Sequence, residues 1–255
     1  MIMEKNTFKR RSKENIIFGI RSVIEWVKSG KDLNKILIQR GMNKELFLEL
    51  KDVLAGKSYQ LQFVPIEKLN SFTDQNHQGV IALTSPIKYY KVEDIVEDLI
   101  ADNKKPFILA LDRITDVRNF GAIARAAECQ GVDAILIPSK GSAKVNADSI
   151  KTSSGALGRI KVCITDSLKD SIFYIQQCGV RIIACTEKSK SPLNEVDLKG
   201  SIAFILGSEK DGITSDLLNI SDFNCRIPMS GKISSLNVSV AAGILLYERY
   251  RQEIY

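Results

Sequence analysis

The sequence predicts an α/β protein whose larger, C-terminal part is built on a mostly parallel sheet. From Phe107 onward, short and largely apolar segments alternate with helical segments. Apolar strands between helices are typical of a sheet that is covered on both faces, which is the usual setting of parallel strands. Residues 14–86 alternate in the same way and predict a separate, smaller α/β domain of about 75 residues, large enough to fold alone.

The predicted elements of the smaller domain follow from the spacing of its apolar residues. They are a helix over Ile16–Val27, a strand over Lys35–Gln39, an amphipathic helix over Asn43–Leu54, and strands over Gln60–Val64 and Gly79–Thr84. Pro86–Lys91 reads as a linker, and Val92–Ala101 as an acidic helix. Pro106 ends that region, because proline disfavours helical geometry in the residue before it. The chain thus divides into a tail over 1–13, a domain over 14–86, a linker with a helix over 87–104, and a second domain over 105–255.

The second domain is predicted to alternate strands and helices up to a terminal helix that begins with Val240–Gly243. Its strands are predicted at Phe107–Asp112, Ala134–Ile137, Ile160–Cys163, Val180–Cys185, Ile202–Leu206 and Cys225–Met229. Its earlier helices are predicted at Asn119–Gln130, Ala147–Ala156, Leu168–Cys178 and Ser215–Ile220.

Composition excludes several classes of protein. No apolar run approaches the roughly 20 residues that span a bilayer, and the N-terminus has no apolar signal core, so we expect a soluble cytoplasmic protein without a membrane partner. The five cysteines are scattered without Cys-x-x-Cys spacing, which predicts reduced thiols and no zinc site. The single histidine, His77, lies in a polar turn, so we predict no metal site and no histidine-based nucleophilic site.

Positive charge is concentrated near the N-terminus. The net charge is +6, and residues 1–85 carry 14 Lys/Arg against 9 Asp/Glu. The tail over 1–13 holds five of these cations, namely Lys5, Lys9, Arg10, Arg11 and Lys13. Such an arm is typical of contact with nucleic-acid phosphates, although a solvated tail has the same composition.

Three loops that follow predicted strands carry the candidate functional residues. The first leads from Asp112 into a helix with Asn119, Gly121 and Arg125, where an arginine among alanines is either solvated or paired with an anion such as phosphate. The second is Gly207-Ser208-Glu209 with a further bend at Gly212, and it matches neither a Walker A loop nor a dinucleotide fingerprint.

The third loop runs through Ser234, Ser235 and Asn237, residue types that cap helices, into a small-faced helix. Gly243 in that helix costs about 1 kcal/mol relative to alanine, which suggests a close approach of another backbone. Since the carboxyl ends of parallel strands meet at one edge of the sheet, the three loops together predict a ligand site.

These motifs resemble a known family. The order Asn119-x-Gly121-x-x-x-Arg125, Gly207-Ser-Glu209 and Ile227-Pro-Met to Ser235-Leu-Asn237 resembles the three motifs of SpoU/TrmH-type RNA ribose 2′-O-methyltransferases of the SPOUT superfamily. Phe18–Val23 and His77–Ala82 are similar to the ends of the substrate-binding domain in the branch that methylates guanosine of large-subunit rRNA.

The resemblance implies a fold, a cofactor and partners. It implies a C-terminal trefoil knot, a preceding L30e/L7Ae-like domain, and a homodimer whose interface helps to form the site. S-adenosylmethionine would lie in the knot against Gly207, Ile227 and Leu236, with Thr186 as a further lining residue. The substrate would be RNA, and 23S rRNA or a pre-ribosomal particle is the expected partner.

The resemblance also implies a mechanism in which a ribose 2′-oxygen attacks the methyl group of the cofactor. In the family this arginine is proposed to activate the hydroxyl, so Arg125, Glu209 and an RNA phosphate are the candidate bases. Arginine is effectively always protonated, so we expect Arg125 to stabilise the oxyanion and anchor phosphate, and to act as a base only if its environment strongly perturbs it. Asn119, Glu209, Ser235 and Asn237 would orient Arg125 and the substrate. Lys210-Asp211 departs from a pair that often contains glycine in relatives, which leaves the flexibility of this loop open.

Alternative functions remain. A tRNA substrate and a non-catalytic RNA-binding assembly factor are both compatible with the motifs, and the separate N-terminal domain favours rRNA only by analogy. An NAD-dependent oxidoreductase is disfavoured, because the chain lacks the glycine fingerprint.

Overall fold

The computed structural model describes residues 16–42, 44–55, 59–233 and 235–255. The chain forms two units with a boundary between Lys88 and Tyr89, two residues after the predicted end of the smaller domain. The predicted basic tail over 1–13, together with Asn43 and Ser234, lies outside the described residues.

The first unit is a four-stranded mixed sheet with helices packed on it. Its strands are β1 (Ile16–Phe18), β2 (Leu33–Gln39), β3 (Leu61–Val64) and β4 (Val80–Thr84), in the spatial order β1-β4-β2-β3. Its helices are α1 (Ile20–Lys28), α2 (Lys44–Leu54) and α3 (Ile66–Asn70). β2 and β3 run parallel, whereas β4 is antiparallel to both β1 and β2.

The predicted helix over Ile16–Val27 is wrong in its first turn. Ile16–Phe18 forms β1, and α1 begins only after Gly19, whose φ of 85° is a left-handed conformation that interrupts a helix. Three apolar residues fit either type of element, and pairing with Ile81–Leu83 of β4 decides the matter. The buried face of α1 then packs against β2 and β4 in the core of this unit.

The second unit is built on a seven-stranded, wholly parallel sheet in the order β11-β9-β10-β6-β7-β8-β5. The strands are β5 (Tyr89–Tyr90), β6 (Phe107–Asp112), β7 (Ala134–Pro138), β8 (Lys161–Thr165), β9 (Arg181–Cys185), β10 (Ile202–Gly207) and β11 (Phe223–Cys225). The helices are α4 (Val92–Ala101), α5 (Val117–Cys129), α6 (Ala147–Thr152), α7 (Leu168–Gln177), α8 (Ser215–Ile220) and α9 (Val238–Ile254).

Several predicted boundaries in this unit differ from the structure. The predicted linker Pro86–Lys91 contains β5, a two-residue edge strand that pairs with β8. The last strand is β11, which overlaps the predicted strand Cys225–Met229 only at Cys225, and Pro228 has no N–H to continue a ladder. The helix predicted over Ala147–Ala156 ends at Thr152, because Ser154 and Gly155 take φ values of 51° and 87°.

The two faces of the large sheet are covered by different helices. On one face, α4 and α7 pack against Ile108 and Ala110 of β6 and their neighbours. On the other face, Phe107 meets Phe204 edge-on at 5.9 Å between ring centroids. The guanidinium of Arg249 in α9 lies 4.4 Å from the Phe107 ring centroid. Burial lowers the pKa of Arg249. Among the described helices, none is both long enough and apolar enough to cross a membrane.

Candidate functional site

The strand register brings the three candidate loops to one edge of the sheet. Asp112 at the end of β6 pairs with Gly207 at the end of β10. On the other side of β10, Leu206 pairs with Cys185 at the end of β9, which in turn pairs with Cys225 at the end of β11. The predicted convergence of the loops is confirmed.

A cavity of about 570 Å³ opens at this edge. It is lined by the segments that follow β9, β10 and β11 and by the beginning of α9. All four predicted cofactor residues line it, namely Thr186, Gly207, Ile227 and Leu236. The volume is within the usual range for small-molecule sites, about 300–1,000 Å³.

The lining of the cavity combines apolar walls with a slight excess of negative charge. Leu206, Ile213, Ile227 and Leu236 supply apolar surface, and Glu187, Glu209 and Asp211 oppose Lys188 and Lys210. Such a lining suits a ligand with a flat apolar part and a positive charge.

Gly207 is required by its own loop. A Cβ at this position would lie 2.1 Å from the carbonyl carbon of Gly212 and 2.2 Å from the nitrogen of Ile213. The sequence suggested that this glycine exposes backbone groups to a ligand, and the structure adds a steric reason. The loop folds back on the end of β10 so closely that a side chain cannot be accommodated.

A polar network joins the three motifs at the rim of the cavity. Asn119 Nδ2 donates a hydrogen bond to Glu209 Oε1. Asn237 Nδ2 lies 3.1 Å from Asn119 Oδ1 and 3.4 Å from Glu209 Oε1, so it can donate to both. Asn237 also caps α9 by accepting from the Ser239 N–H at 2.9 Å. Residues that are 90 and 28 positions apart in the sequence thereby form one cluster.

The first turn of α5 is fixed by Asp116. Its Oδ1 accepts from the N–H groups of Arg118 at 2.8 Å and Asn119 at 2.9 Å, so the helix begins at Val117, two residues before the predicted start. This N-cap sets the direction in which the Asn119 side chain leaves the helix. Ser235 is exposed and lines the cavity beside this network.

Arg125 lies apart from the network within one chain. It follows Asn119 by six residues on α5, which places it about 240° around the helix and about 9 Å along it. Its side chain is exposed, and within the described part of the chain it forms no hydrogen bond or ion pair. The expectation that Asn119, Glu209 and Asn237 orient Arg125 is therefore not met by contacts inside a single chain.

Gly121 explains part of the spacing in the first motif. A Cβ there would lie 2.7 Å from the Ser149 carbonyl oxygen and 2.8 Å from Thr152 Cβ, so the glycine allows α5 to pack closely on α6. Arg125 is one turn further along the same face of α5. Gly243 has no comparable neighbour, because nothing among the described residues lies within 4 Å of its Cβ position.

The motifs assign no role to a pair of charged residues at the end of β6, Asp112 and Arg113. The buried Asp112 carboxylate accepts from Arg113 Nε at 3.0 Å and from the Thr214 N–H at 2.8 Å. Arg113 Nη2 also donates to the Gly212 carbonyl at 3.0 Å, and its hydrogen bond to Asp112 raises the pKa of Arg113. An Asp-Arg pair directly after an apolar strand is the only local signal, because their partners lie about one hundred residues later.

His77 has a structural role in the first unit. Its Nδ1 accepts from the Gly79 N–H at 3.0 Å, and Nε2 lies 2.8 Å from Asn70 Oδ1. These contacts join the ring to the backbone of the turn and to the end of α3. His77 therefore holds the turn before β4.

Comparisons with known proteins agree with the motifs. The profile of the SpoU rRNA Methylase family matches residues 106–247, and that of RNA 2′-O ribose methyltransferase substrate binding matches residues 16–90. A Staphylococcus saprophyticus protein whose name places it among TrmH family tRNA/rRNA methyltransferases is 32% identical over 242 residues. That match covers 95% of this chain and 97% of the relative.

Solved structures show the same fold. An RNA 2′-O ribose methyltransferase matches with a TM-score of 0.55 and 25% identity, covering 94% of this chain and 89% of that chain. The SpoU methyltransferase AviRb from Streptomyces viridochromogenes, solved in complex with AdoMet, matches with a TM-score of 0.60 and 20% identity, covering 94% and 90%. The motif network, both family profiles and the relative that is similar over nearly its full length lead to one conclusion: this chain belongs to the SpoU rRNA methylase family.

Proposed function

We propose that this protein transfers a methyl group from S-adenosylmethionine to a ribose 2′-hydroxyl of RNA. The observation that carries the proposal is the network of Asn119, Glu209 and Asn237 at the rim of the 570 Å³ cavity. The network is polar and open, as a site for a ribose must be, and the cavity beside it has the size of a cofactor site.

The cavity residues fit S-adenosylmethionine. The apolar side chains of Ile227 and Leu236 would hold the adenine ring, and Gly207 and Thr186 would complete the walls. The excess of carboxylates over lysines around the cavity favours a positively charged sulfonium. When bound, this cofactor supplies an electrophilic methyl group.

Glu209 is placed to receive a hydrogen bond from the substrate. In the described part of the chain, the hydrogen bonds from Asn119 and Asn237 reach Oε1, which leaves Oε2 able to accept from a ribose hydroxyl. The two amides hold the carboxylate in position, and Ser235 provides a further hydroxyl along the cavity. Glu209 or an RNA phosphate would accept the hydroxyl proton as the ribose oxygen displaces the sulfur from the methyl carbon, with S-adenosylhomocysteine as the leaving group.

We assign stabilisation of the oxyanion and anchoring of phosphate to Arg125. A guanidinium stays protonated at neutral pH and presents several donors, so it suits these roles better than that of a base. Because Arg125 and Asn119 leave α5 on different sides, we propose that Arg125 meets the substrate across the interface of a homodimer.

The exposed face of α9 supports such a homodimer. Val240, Ile244 and Tyr247 recur at helical spacing with exposed fractions of 50%, 39% and 57%. A small groove lined by Leu193, Pro228 and Ile227 borders this stripe, and Ile227 also lines the large cavity. A second copy seated on α9 would therefore lie beside the cofactor site. α9 also packs against α5, the helix of Arg125.

Mixing two inactive variants tests whether Arg125 acts across the dimer. If Arg125→Ala and Asn119→Ala subunits exchange freely, half of the dimers are mixed, and each mixed dimer has one site with both residues intact. About a quarter of wild-type activity should return. If Arg125 acts within its own chain, no site is intact and activity stays absent.

We propose further that the first unit recognises the RNA in the manner of an L30e/L7Ae-like domain and that the substrate is a guanosine of 23S rRNA. The substrate-binding profile over residues 16–90 supports a role for this unit in RNA binding. We propose a cytoplasmic location as well, because all five cysteines are free thiols, as is usual in that reducing compartment.

We also propose that the C-terminal segment forms a trefoil knot. Two observations support this. The segment after β11 is held near the loop between β9 and β10, since the Leu193 N–H donates to the Arg226 carbonyl at 2.8 Å. The end of α9 returns to the same loop, where Gln252 Oε1 accepts from the Leu198 N–H at 2.9 Å.

Calorimetric titration followed by transfer of labelled methyl groups tests the proposed function. We expect the purified protein to bind S-adenosylmethionine and to label total RNA from a strain that lacks the gene, with the label at a ribose of 23S rRNA. Label in tRNA would reassign the substrate within the same activity. Failure to bind the cofactor would contradict the activity and favour a non-catalytic assembly factor.

A further inference from the structure

We propose that Arg113 is a positioning residue that holds the loop from Gly207 to Thr214 in the conformation that binds the cofactor. This inference rests on the proposed function, since it concerns the same cavity. The three motifs do not include Arg113, whose backbone conformation and partners point to this role.

The backbone of Arg113 is held in an unfavourable conformation. Its φ is 58°, in the left-handed region that side chains other than glycine, asparagine and aspartate rarely adopt. Such a conformation persists only where surrounding contacts enforce it, and it is concentrated at functional sites. Arg113 directly follows β6, at the edge of the sheet where the cavity lies.

The side chain of Arg113 contacts Asp112 and the loop from Gly207 to Thr214, and these contacts hold its backbone in this conformation. Arg113 Nη2 donates to the Gly212 carbonyl at 3.0 Å and to Asp112 Oδ2 at 3.2 Å. Asp112, only 4% exposed, accepts the Thr214 N–H at 2.8 Å. Two adjacent residues at the end of β6 thus hold the backbone of the loop at two points.

The first half of the loop is anchored through Glu209, which accepts from Asn119 and Asn237, whereas Arg113 and Asp112 hold its second half. Two hydrogen bonds close the loop internally, from the Gly212 N–H to the Ser208 carbonyl at 2.9 Å and from the Asp211 N–H to Ser208 Oγ at 3.1 Å. Gly212 itself has a φ of 67° and can adopt many conformations. The atoms of Gly212 and Ile213 fill the space next to Gly207. The position of the Gly212 carbonyl therefore determines where this wall of the cavity lies.

A guanidinium is suited to this task and an ammonium is not. The planar fork reaches the carboxylate and the carbonyl at the same time, whereas the single nitrogen of lysine provides a point charge without this fixed geometry. Arg113 also pairs with Asp211 at 3.7 Å, but the Asp211 side chain is 58% exposed and this contact adds little.

Two variants and one control test the proposal on the full-length protein. Arg113→Lys keeps the positive charge beside Asp112, and Arg113→Gly relieves the backbone strain while removing the side chain. We expect both to raise the Kd and the KM for S-adenosylmethionine by about tenfold or more, the loss typical of one charge-assisted hydrogen bond. The kcat at saturating cofactor should fall by a smaller factor than the Kd rises, because Glu209 lies in the same loop but is also held by Asn119 and Asn237. Arg159→Lys is the matched control, because Arg159 forms an exposed ion pair with Glu128 and does not line the cavity, so this change should leave the Kd unchanged.

The outcomes separate this proposal from the function on which it rests. Wild-type protein that fails to bind S-adenosylmethionine overturns both. Wild-type protein that binds, together with a folded Arg113→Lys variant of equal Kd, overturns the positioning role alone. If Arg113→Gly does not fold, the lysine variant decides. Recovery of cofactor affinity in Arg113→Gly on addition of ethylguanidinium would support the proposal, because a general loss of stability would not respond to it.

Discussion

Replacing Gly207 by alanine should damage the proposed cofactor site, because the added methyl group has no space beside its own loop. The new Cβ would lie 2.1, 2.2 and 2.4 Å from three backbone atoms of Gly212 and Ile213. Ordinary contacts of a Cβ begin at 3.4 Å, so the loop must move by more than an ångström. That movement would disturb the hydrogen bonds from the Gly212 N–H to Ser208 and from Arg113 to the Gly212 carbonyl.

The magnitude follows from the cost of overpacking. Forcing a methyl group into a filled site typically costs about 1–3 kcal/mol. For a unit of this size each kcal/mol lowers the midpoint of thermal unfolding by roughly 2–4 °C, so we expect a decrease of roughly 2–12 °C. A displaced cavity wall should also raise the Kd for S-adenosylmethionine by about tenfold or more.

Thermal unfolding and calorimetric titration of the same preparation check both effects. Gly158→Ala is the matched control, because nothing lies within 4 Å of its Cβ position and its φ is outside the left-handed range. Its stability should be unchanged or higher by up to about 1 kcal/mol. The steric argument would be refuted by a Gly207→Ala protein that has the melting midpoint and the Kd of the wild type.

Four further predictions concern individual side chains. Arg125→Ala should bind S-adenosylmethionine normally and lose methyl transfer by about 100-fold or more, and near-normal turnover would contradict its assignment. Asn237→Ala removes both the cap of α9 and the network contacts, so it should lose about 1 kcal/mol of stability as well as activity, whereas Asn237→Ser should restore the stability in denaturant titrations but not the activity. Burial lowers the pKa of Lys144 to about 8, below its value in the unfolded chain; between about pH 8 and 10.5 the unfolded state therefore binds more protons, and the unfolding free energy of the wild type should rise with pH relative to Lys144→Met. If the unfolding free energy does not rise with pH in this range, Lys144 is solvated rather than buried. Ile244→Asp should dissociate the proposed homodimer in light-scattering measurements without lowering the monomer's melting midpoint, and a variant that remains dimeric would exclude this face of α9.

Several elements could be predicted from local sequence because burial leaves a local pattern. The strand predicted at Phe107–Asp112 agrees with β6, since every residue of a central parallel strand is covered on both faces and is buried. The helix over Val92–Ala101 also agrees with α4, whose apolar residues follow helical spacing.

Other elements depend on partners that are distant in the sequence. β5 has two residues, too few for any periodicity, and exists because it pairs with β8. β1 lies within the predicted helix Ile16–Val27, because its three apolar residues also fit a helix and only its pairing with β4 makes it a strand. In both cases hydrogen bonds to a strand more than sixty residues away decide the structure.

Residue types alone predict the chemistry proposed for the site. Asparagine, glutamate, serine and arginine in the loops and helices that follow strands predict a polar rim, and the glycine at 207 predicts a tight loop. How these residues combine follows from the arrangement of the strands. The pairing of β6 with β10 places Gly207 next to Asp112 and brings Asn119 to Glu209 and Asn237. It also allows Arg113 to donate a hydrogen bond to the Gly212 carbonyl. Arg125 lies on another side of α5. The physical reason is that residue types carry hydrogen-bonding capacity locally, whereas geometry follows from strand order, which long-range pairing selects.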